Sequence, residues 1–201
     1  MIFPTFKVTR LAELMAEQWG AARLPDLFEL IKVAKPKSVL EIGCYRGVST
    51  EVWLLHCASV VAVDPWPDAI VRREFLARCS HYSHLEMIEG FSPDALAPFR
   101  IKGAERTFDL CYIDGDHSYE AVVNDINACK MLVKPGEFIG GHDYGGDCPG
   151  VALAVDELLG KPQWRFSDGS WLHRITEFCR HCGESVPADR NCCAHCADER
   201  P

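Results

Sequence analysis

Five short apolar runs, separated by stretches long enough for a helix, constrain this chain more than any other feature. They are Ser38-Val-Leu-Glu-Ile42, Val60-Val-Ala-Val63, Leu85-Glu-Met-Ile88, Phe108-Asp-Leu-Cys-Tyr-Ile113 and Glu137-Phe-Ile-Gly140. They lack the clean apolar–polar alternation of half-exposed strands. Both faces must therefore be covered, as in a parallel sheet held between two helical layers.

The intervening stretches supply those layers. Tyr119, Val122, Val123, Ile126, Cys129 and Val133 fall on one face of a helix over Tyr119–Val133, and Lys134-Pro-Gly136 stops it. The spacing also predicts helices over Leu11–Trp19, from Leu27 to a stop before Pro36, and over Val151–Leu159 ending at Gly160. Trp164 to Ile175 reads as a hairpin turning at Asp168-Gly169. Repetition of strand, helix and strand requires right-handed crossovers in an open sheet. The expected fold is α/β, a Rossmann-like three-layer sandwich on a mostly parallel, seven-stranded sheet, followed by a small four-cysteine zinc knuckle. The chain divides accordingly into a helical segment (1–35), a sheet domain (36–177) and a tail (178–201).

A net charge of −8 argues against nucleic acid or anionic lipid as a general partner. Met1–Arg10 has no apolar core of a secretion signal, and no apolar run reaches membrane-spanning length. The expected compartment is the cytoplasm, with no membrane partner. Six cysteines are scattered through the body and read as reduced, buried small side chains; five crowd into the tail.

In open parallel sheets, ligands bind at the carboxyl ends of the strands near the point where the strand order reverses. The loop after the first run is Glu41-Ile-Gly43-Cys-Tyr-Arg-Gly47-Val-Ser-Thr50, and Asp64 ends the second run 21 positions beyond Gly43. Glycine permits a tight turn and close backbone approach, and an acid at that distance can accept both ribose hydroxyls. A dinucleotide site would need Gly-x-Gly-x-x-Gly to seat a pyrophosphate. Here the spacing is Gly-x-x-x-Gly behind an acid, which suits S-adenosylmethionine, a ligand with cationic sulfonium and amino groups and no phosphate.

Together with Val63-Asp-Pro-Trp66, Ile113-Asp-Gly-Asp-His-Ser-Tyr119 and Gly141-His-Asp-Tyr144, this loop resembles the class I S-adenosylmethionine-dependent methyltransferases. The branch it is most similar to groups catechol-type, macrolide-sugar and cephalosporin-hydroxylase-like proteins. The resemblance covers roughly Pro36 to Ile175. It implies donor contacts from Glu41, Gly43, Tyr45, Gly47, Ser49, Asp64, Pro65, Trp66, Gly90, Phe91, Ser92 and Asp114. Asp64 would hold the ribose, and Glu89-Gly-Phe-Ser92 would lie near the adenine. Tyr45 departs from the pattern, since many methyltransferases carry a second glycine there.

Asp114 and Asp116 close the fourth run, and His142 and Asp143 close the fifth. Adjacent strands lie ~4.8 Å apart, so their terminal carboxylates can share a divalent cation such as magnesium at ~2.1 Å. Such an ion lowers the pKa of an acceptor hydroxyl and orients it. The resemblance points to Asp114 and Asp143 as ligands. His142 stands where that branch often has a second acid; it either completes the set or leaves it short. His117 is a candidate general base, because imidazole titrates near neutrality. The plainer alternatives are that Asp114 and Asp116 cap a turn and a helix, and that Trp66 and Tyr144 are core residues rather than acceptor contacts.

In the tail, Cys179-Arg-His-Cys182 and Cys193-Ala-His-Cys196 form two Cys-x-x-Cys knuckles separated by ten residues. This spacing wraps a tetrahedral zinc with thiolates at ~2.3 Å. The leading expectation is metal-assisted O-methylation of a small hydroxylated acceptor, catalysed through Asp114, His117 and His142. An NAD-dependent oxidoreductase, and a non-catalytic scaffold acting through the zinc ribbon, are the alternatives. A homodimer is compatible with the sequence.

Overall fold

The structure, a computed structural model, describes residues 3–16, 20–100 and 108–175. Two helices, α1 (Phe3–Ala16) and α2 (Gly20–Ala34), precede β1 (Ser38–Ile42). There follow α3 (Val48–His56), β2 (Ser59–Asp64), α4 (Ala69–Cys79), β3 (Leu85–Glu89) and a 3-10 turn at Asp94–Arg100. The second half runs β4 (Phe108–Ile113), α5 (Tyr119–Lys130), β5 (Val133–Gly141), α6 (Pro149–Leu158), β6 (Trp164–Arg165) and β7 (Trp171–Arg174). The strands make one seven-stranded sheet in the order β3-β2-β1-β4-β5-β7-β6. β1 to β5 pair in parallel, and β7 runs antiparallel to both β5 and β6. The expected α/β fold and mixed edge are therefore present. The order reverses between β1 and β4, which pair directly. Their two following loops diverge and leave a crevice there.

Side-chain parity sorts the core into two layers. Leu40, Ile42, Val61, Val63, Cys111, Ile113 and Ile139 pack on one face with α5 and α6. Val39, Val60, Ala62, Leu110, Tyr112 and Phe138 pack on the other with α2, α3 and α4. Because side chains alternate along a strand, Glu41 must point to the second face, beneath α3. Leu24, Leu27 and Leu30 of α2 belong to that same buried layer.

Three helices on this face are joined by one carboxylate. Glu51 of α3 is fully buried; it accepts from Arg10 of α1 at 2.6 and 2.8 Å, from Arg78 of α4 at 3.1 Å and from the Tyr82 hydroxyl at 3.1 Å. Burial pushes this carboxyl up, but the two guanidinium groups together hold it below its usual range.

Three expectations about elements need correction. The helix drawn over Tyr119–Val133 ends at Lys130, and Val133 opens β5, opposite Phe108. Lys134-Pro-Gly136 does not merely stop the helix; it lies inside β5, where the register to β4 shifts between Phe108 and Leu110. A bulge absorbs the residues that cannot fit a regular ladder. The first two helices also begin earlier than their apolar spacing suggested, at Phe3 and Gly20, with Pro25 inside α2.

Removing the Glu51 carboxylate strands two guanidinium groups, a loss typically worth about 3 kcal/mol for a buried pair. Glu51→Ala is expected to lower the unfolding free energy by that amount, read as a lower urea midpoint at unchanged slope. A shift under about 0.5 kcal/mol would show that the clip contributes nothing.

Candidate active site

The β1 loop is shaped by what it touches. Gly43 adopts φ +84°, and a Cβ there would lie 2.2 Å from the Asp114 carbonyl oxygen. Only glycine lets the two loops approach this closely. The Gly43 amide donates to the Val63 carbonyl at 2.9 Å. Asp64 then gathers the turn: Oδ2 accepts from the amides of Cys44 (2.9 Å) and Tyr45 (3.0 Å), and Oδ1 from that of Trp66 (2.7 Å). Gly47, at φ +78°, begins α3 packed against Phe75 and Cys79. Tyr45, the departure from the glycine pattern, takes φ +47°, so the left-handed turn is made with a tyrosine in it. Such a residue costs on the order of 1–2 kcal/mol; the Trp66 indole, donating to the Tyr45 carbonyl at 3.0 Å, helps to hold it.

Glu41 lies beneath the loop with no exposure. Thr50 Oγ1 and Trp53 Nε1 donate to its two oxygens, and burial pushes its pKa up to about 7. It anchors α3 to β1 from below.

A cavity of about 380 Å³ opens at the crevice between β1 and β4, within the range of small-molecule sites. Gly43, Tyr45, Ser49, Asp114, His117 and His142, all anticipated, line it. Leu24 and Leu27 of α2, Tyr112 and Asp168 line it too and were not anticipated. Asp168 comes from the β6–β7 turn, which α2 fastens in place: Asp26 accepts from Ser167 Oγ at 2.6 Å and from the Asp168 amide at 2.7 Å.

The register aligns Ile113 with Gly141, so Asp114 and His142 emerge side by side. One ligand atom each from Asp114, His142 and Asp143 falls within 4.8 Å of the others. His142 Nδ1 is 3.0 Å from Asp143 Oδ2 and 3.9 Å from Asp114 Oδ1; its Nε2 is 3.7 Å from Asp168 Oδ2. His117 Nε2 reaches the same Asp143 oxygen at 3.1 Å. Its pKa is raised, first by hydrogen bonding to Asp114 and then, against partial burial, by the Asp143 charge. Two carboxylates and an imidazole are a donor set that fits a divalent cation.

Other anticipated residues sit apart from the cavity wall. Asp64 is turned into the loop, and the Gly90 amide donates to the Asp64 carbonyl at 3.1 Å, bringing the ends of β2 and β3 together. Phe91 is 72% exposed there, and Ser92 donates to Asp125, whose carboxyl burial raises to about 6. Trp66 and Tyr144 are buried among core side chains, consistent with packing. The helix cap suggested for Asp116 is instead Ser118, whose side chain caps α5, while Asp116 accepts from the Ser118 amide at 2.8 Å just before it. Cys179, Cys182, Cys193 and Cys196 lie outside the described residues.

A family model described as a methyltransferase domain matches residues 40–144, from the middle of β1 past the end of β5. An uncharacterised protein of Acanthamoeba polyphaga mimivirus is 27% identical over 129 residues. That match covers 60% of this chain and 58% of the viral protein's length. Among solved structures, the TDP-rhamnose 3'-O-methyltransferase of calicheamicin biosynthesis superposes with a TM-score of 0.64 at 14% identity, over 87% of this chain and 88% of its own. An O-methyltransferase of Bacillus cereus, solved with S-adenosylhomocysteine, gives 0.59 at 19% identity over 85% and 88%. The N-methyltransferase NodS of Bradyrhizobium japonicum gives 0.56 at 18% over 81% and 99%. At these identities the structural likeness is one of fold, shared by enzymes that methylate different atoms.

Glu41 has a folded pKa of about 7 against an ordinary 4.5. The folded state thus keeps a proton that the unfolded chain releases, and stability must fall as pH rises through that window. The contribution is on the order of 1–3 kcal/mol. Urea midpoints at about pH 5 and about pH 8 are expected to drop more for the native chain than for Glu41→Gln; equal drops would refute the assignment.

Proposed function

We propose, from the premise that the chain belongs to the methyltransferase-domain family, that it transfers the methyl group of S-adenosylmethionine to an oxygen of a small hydroxylated acceptor. The observation that carries this reading is the meeting of the Gly43–Gly47 loop, the β4 end and the β5 end around one acid-lined cavity at the strand-order reversal, with Asp64 at the β2 end holding the loop from behind. Asp114 and Asp168 line that cavity, and they favour a cationic ligand over a pyrophosphate. The structural neighbour acting on TDP-rhamnose supports a sugar or sugar-like hydroxyl as the acceptor class.

The chain's own groups divide the work. The loop backbone and Ser49 face the methionine end of the donor. Asp64 fixes the loop and keeps acceptor capacity on its oxygens for the ribose, and the exposed Phe91 offers a face to the adenine. When bound, the donor supplies an electrophilic methyl on a sulfonium. Asp114, His142 and Asp143 would hold a divalent cation, which lowers the pKa of a coordinated hydroxyl. His117, held beside Asp143, takes the hydroxyl proton as general base through whichever ring nitrogen is not donating to a carboxylate, a role worth typically 10²–10⁴-fold in rate. Leu24 and Leu27 of α2 keep water from that side of the cavity. From their spacing alone, Cys179, Cys182, Cys193 and Cys196 are assigned a structural zinc.

Calorimetry with S-adenosylhomocysteine tests the reading. The native chain is expected to bind, and Asp64→Ala to lose binding by both loosening the loop and removing the ribose acceptor; no heat with the native chain would refute the proposal. Under an acceptor panel, turnover is expected to stop with chelator and return with magnesium, and Asp143→Asn to stay inactive while still binding S-adenosylhomocysteine. Turnover indifferent to chelator would remove the cation from the mechanism. After brief chelator treatment, metal analysis is expected to find about one tightly held zinc per chain, and none would dismiss the zinc knuckle.

A further inference from the structure

We infer that Cys148, His117 and Asp143 form a second cation site beside the cavity, one suited to a thiophilic divalent ion such as zinc or cadmium. Among the described residues, Cys44, Cys57, Cys79, Cys111 and Cys129 are buried, whereas Cys148 is half-buried. Its Sγ lies 3.5 Å from His117 Nδ1, and His117 Nε2 lies 3.1 Å from Asp143 Oδ2. One ligand atom from each of the three falls within 4.8 Å of the others. Around a tetrahedral zinc with bonds of ~2.3 Å to sulfur and ~2.0–2.2 Å to nitrogen and oxygen, ligand atoms stand roughly 3.5 Å apart. The two contacts use opposite ring nitrogens, so a shared ion requires the imidazole to turn. His117 has 40% of its side chain exposed, so such a turn has open space on one side, and it exchanges the contact to Asp143 or Cys148 for a bond to the ion.

The juxtaposition is built into the packing. Cys148 stands at the N-cap of α6 and closes a tight turn with Gly145. Two residues on, a Cβ on Gly150 would lie 2.7 Å from both the His117 carbonyl and the Tyr119 amide nitrogen. Glycine alone allows the first turn of α6 to lie against the backbone that carries His117. That contact sets the thiol beside the imidazole.

This set differs in chemistry from Asp114, His142 and Asp143. An oxygen-rich set suits magnesium or manganese, while a thiolate with an imidazole selects zinc or cadmium. The two share Asp143, so a thiophilic ion draws that carboxylate and His117 away from the cavity. The consequence is inhibition of methyl transfer; this consequence, though not the binding itself, rests on the function proposed above.

Titration of the full chain with cadmium, followed by the ultraviolet absorption of thiolate bound to metal, tests the inference. The native chain is expected to develop more of this absorption than Cys148→Ser, by about one cadmium equivalent, with the tail cysteines contributing equally to both. His117→Gln is expected to lose the same increment. Superimposable titrations of the native chain and Cys148→Ser would overturn the site, as would an increment that survives His117→Gln. No methyl donor is present in this titration, so its failure is distinguishable from failure of the methyltransferase reading, which calorimetry with S-adenosylhomocysteine reports separately.

Discussion

The architecture of the functional edge depends on the contact between the backbone of Gly43 and the carbonyl of Asp114. Parallel pairing of β1 with β4 brings two loops out at the same level, and they collide unless one of them lacks a side chain. With glycine there, the Asp114 amide can donate to the Ile42 carbonyl at 2.8 Å and the Gly43 amide to the Val63 carbonyl at 2.9 Å. Three strand ends are thereby locked together. The amides of Cys44 and Tyr45 turn onto Asp64, α3 starts at Gly47, and the crevice stays open between the diverging loops. Gly141 repeats the device one strand further along, where a Cβ would lie 2.3 Å from the Ile113 carbonyl. That close approach sets His142 and Asp143 next to Asp114.

Concentrating acids along one edge carries an energetic cost, and the structure meets it in different ways at different depths. Glu41 is wholly buried and is satisfied by Thr50 and Trp53, at the expense of a strongly raised pKa. Glu51 is equally buried but is matched by two guanidinium groups. Asp114 and Asp143 sit higher, among imidazoles and partly open to solvent. The gradient runs from a buried, hydrogen-bonded anchor, through an ion-paired clip, to groups placed where a cationic ligand can meet them. Only the last kind is available for chemistry.

The sheet and its crevice were legible because they rest on short-range signals. Apolar runs mark buried strands, and a Gly-x-x-x-Gly loop behind an acid marks the first turn. The register that unites Asp114, His142 and Asp143 followed from strand adjacency. The boundary at Lys130 was not legible: Val133 continues the helical apolar face as well as it begins a strand, and pairing with Phe108 decides the matter. Nor did local pattern indicate that Leu24, Leu27 and Asp168 would wall the cavity. They arrive through the Asp26 clamp between α2 and the β6–β7 turn, separated by about 140 residues of chain. The proximity of Cys148 to His117 is of the same kind, since it depends on how α6 lies against the start of α5.

The central claim, that the Gly43–Gly47 loop and the ends of β2 and β4 together grip a methyl donor, is tested most directly by amide chemical-shift mapping with S-adenosylhomocysteine. The account predicts the largest perturbations at Gly43, Tyr45, Gly47, Asp64 and Gly115, with little change in the groove bordered by Met15, Phe28 and Ile31 of α1 and α2. Perturbations centred on that groove, or none at saturating ligand, would contradict it.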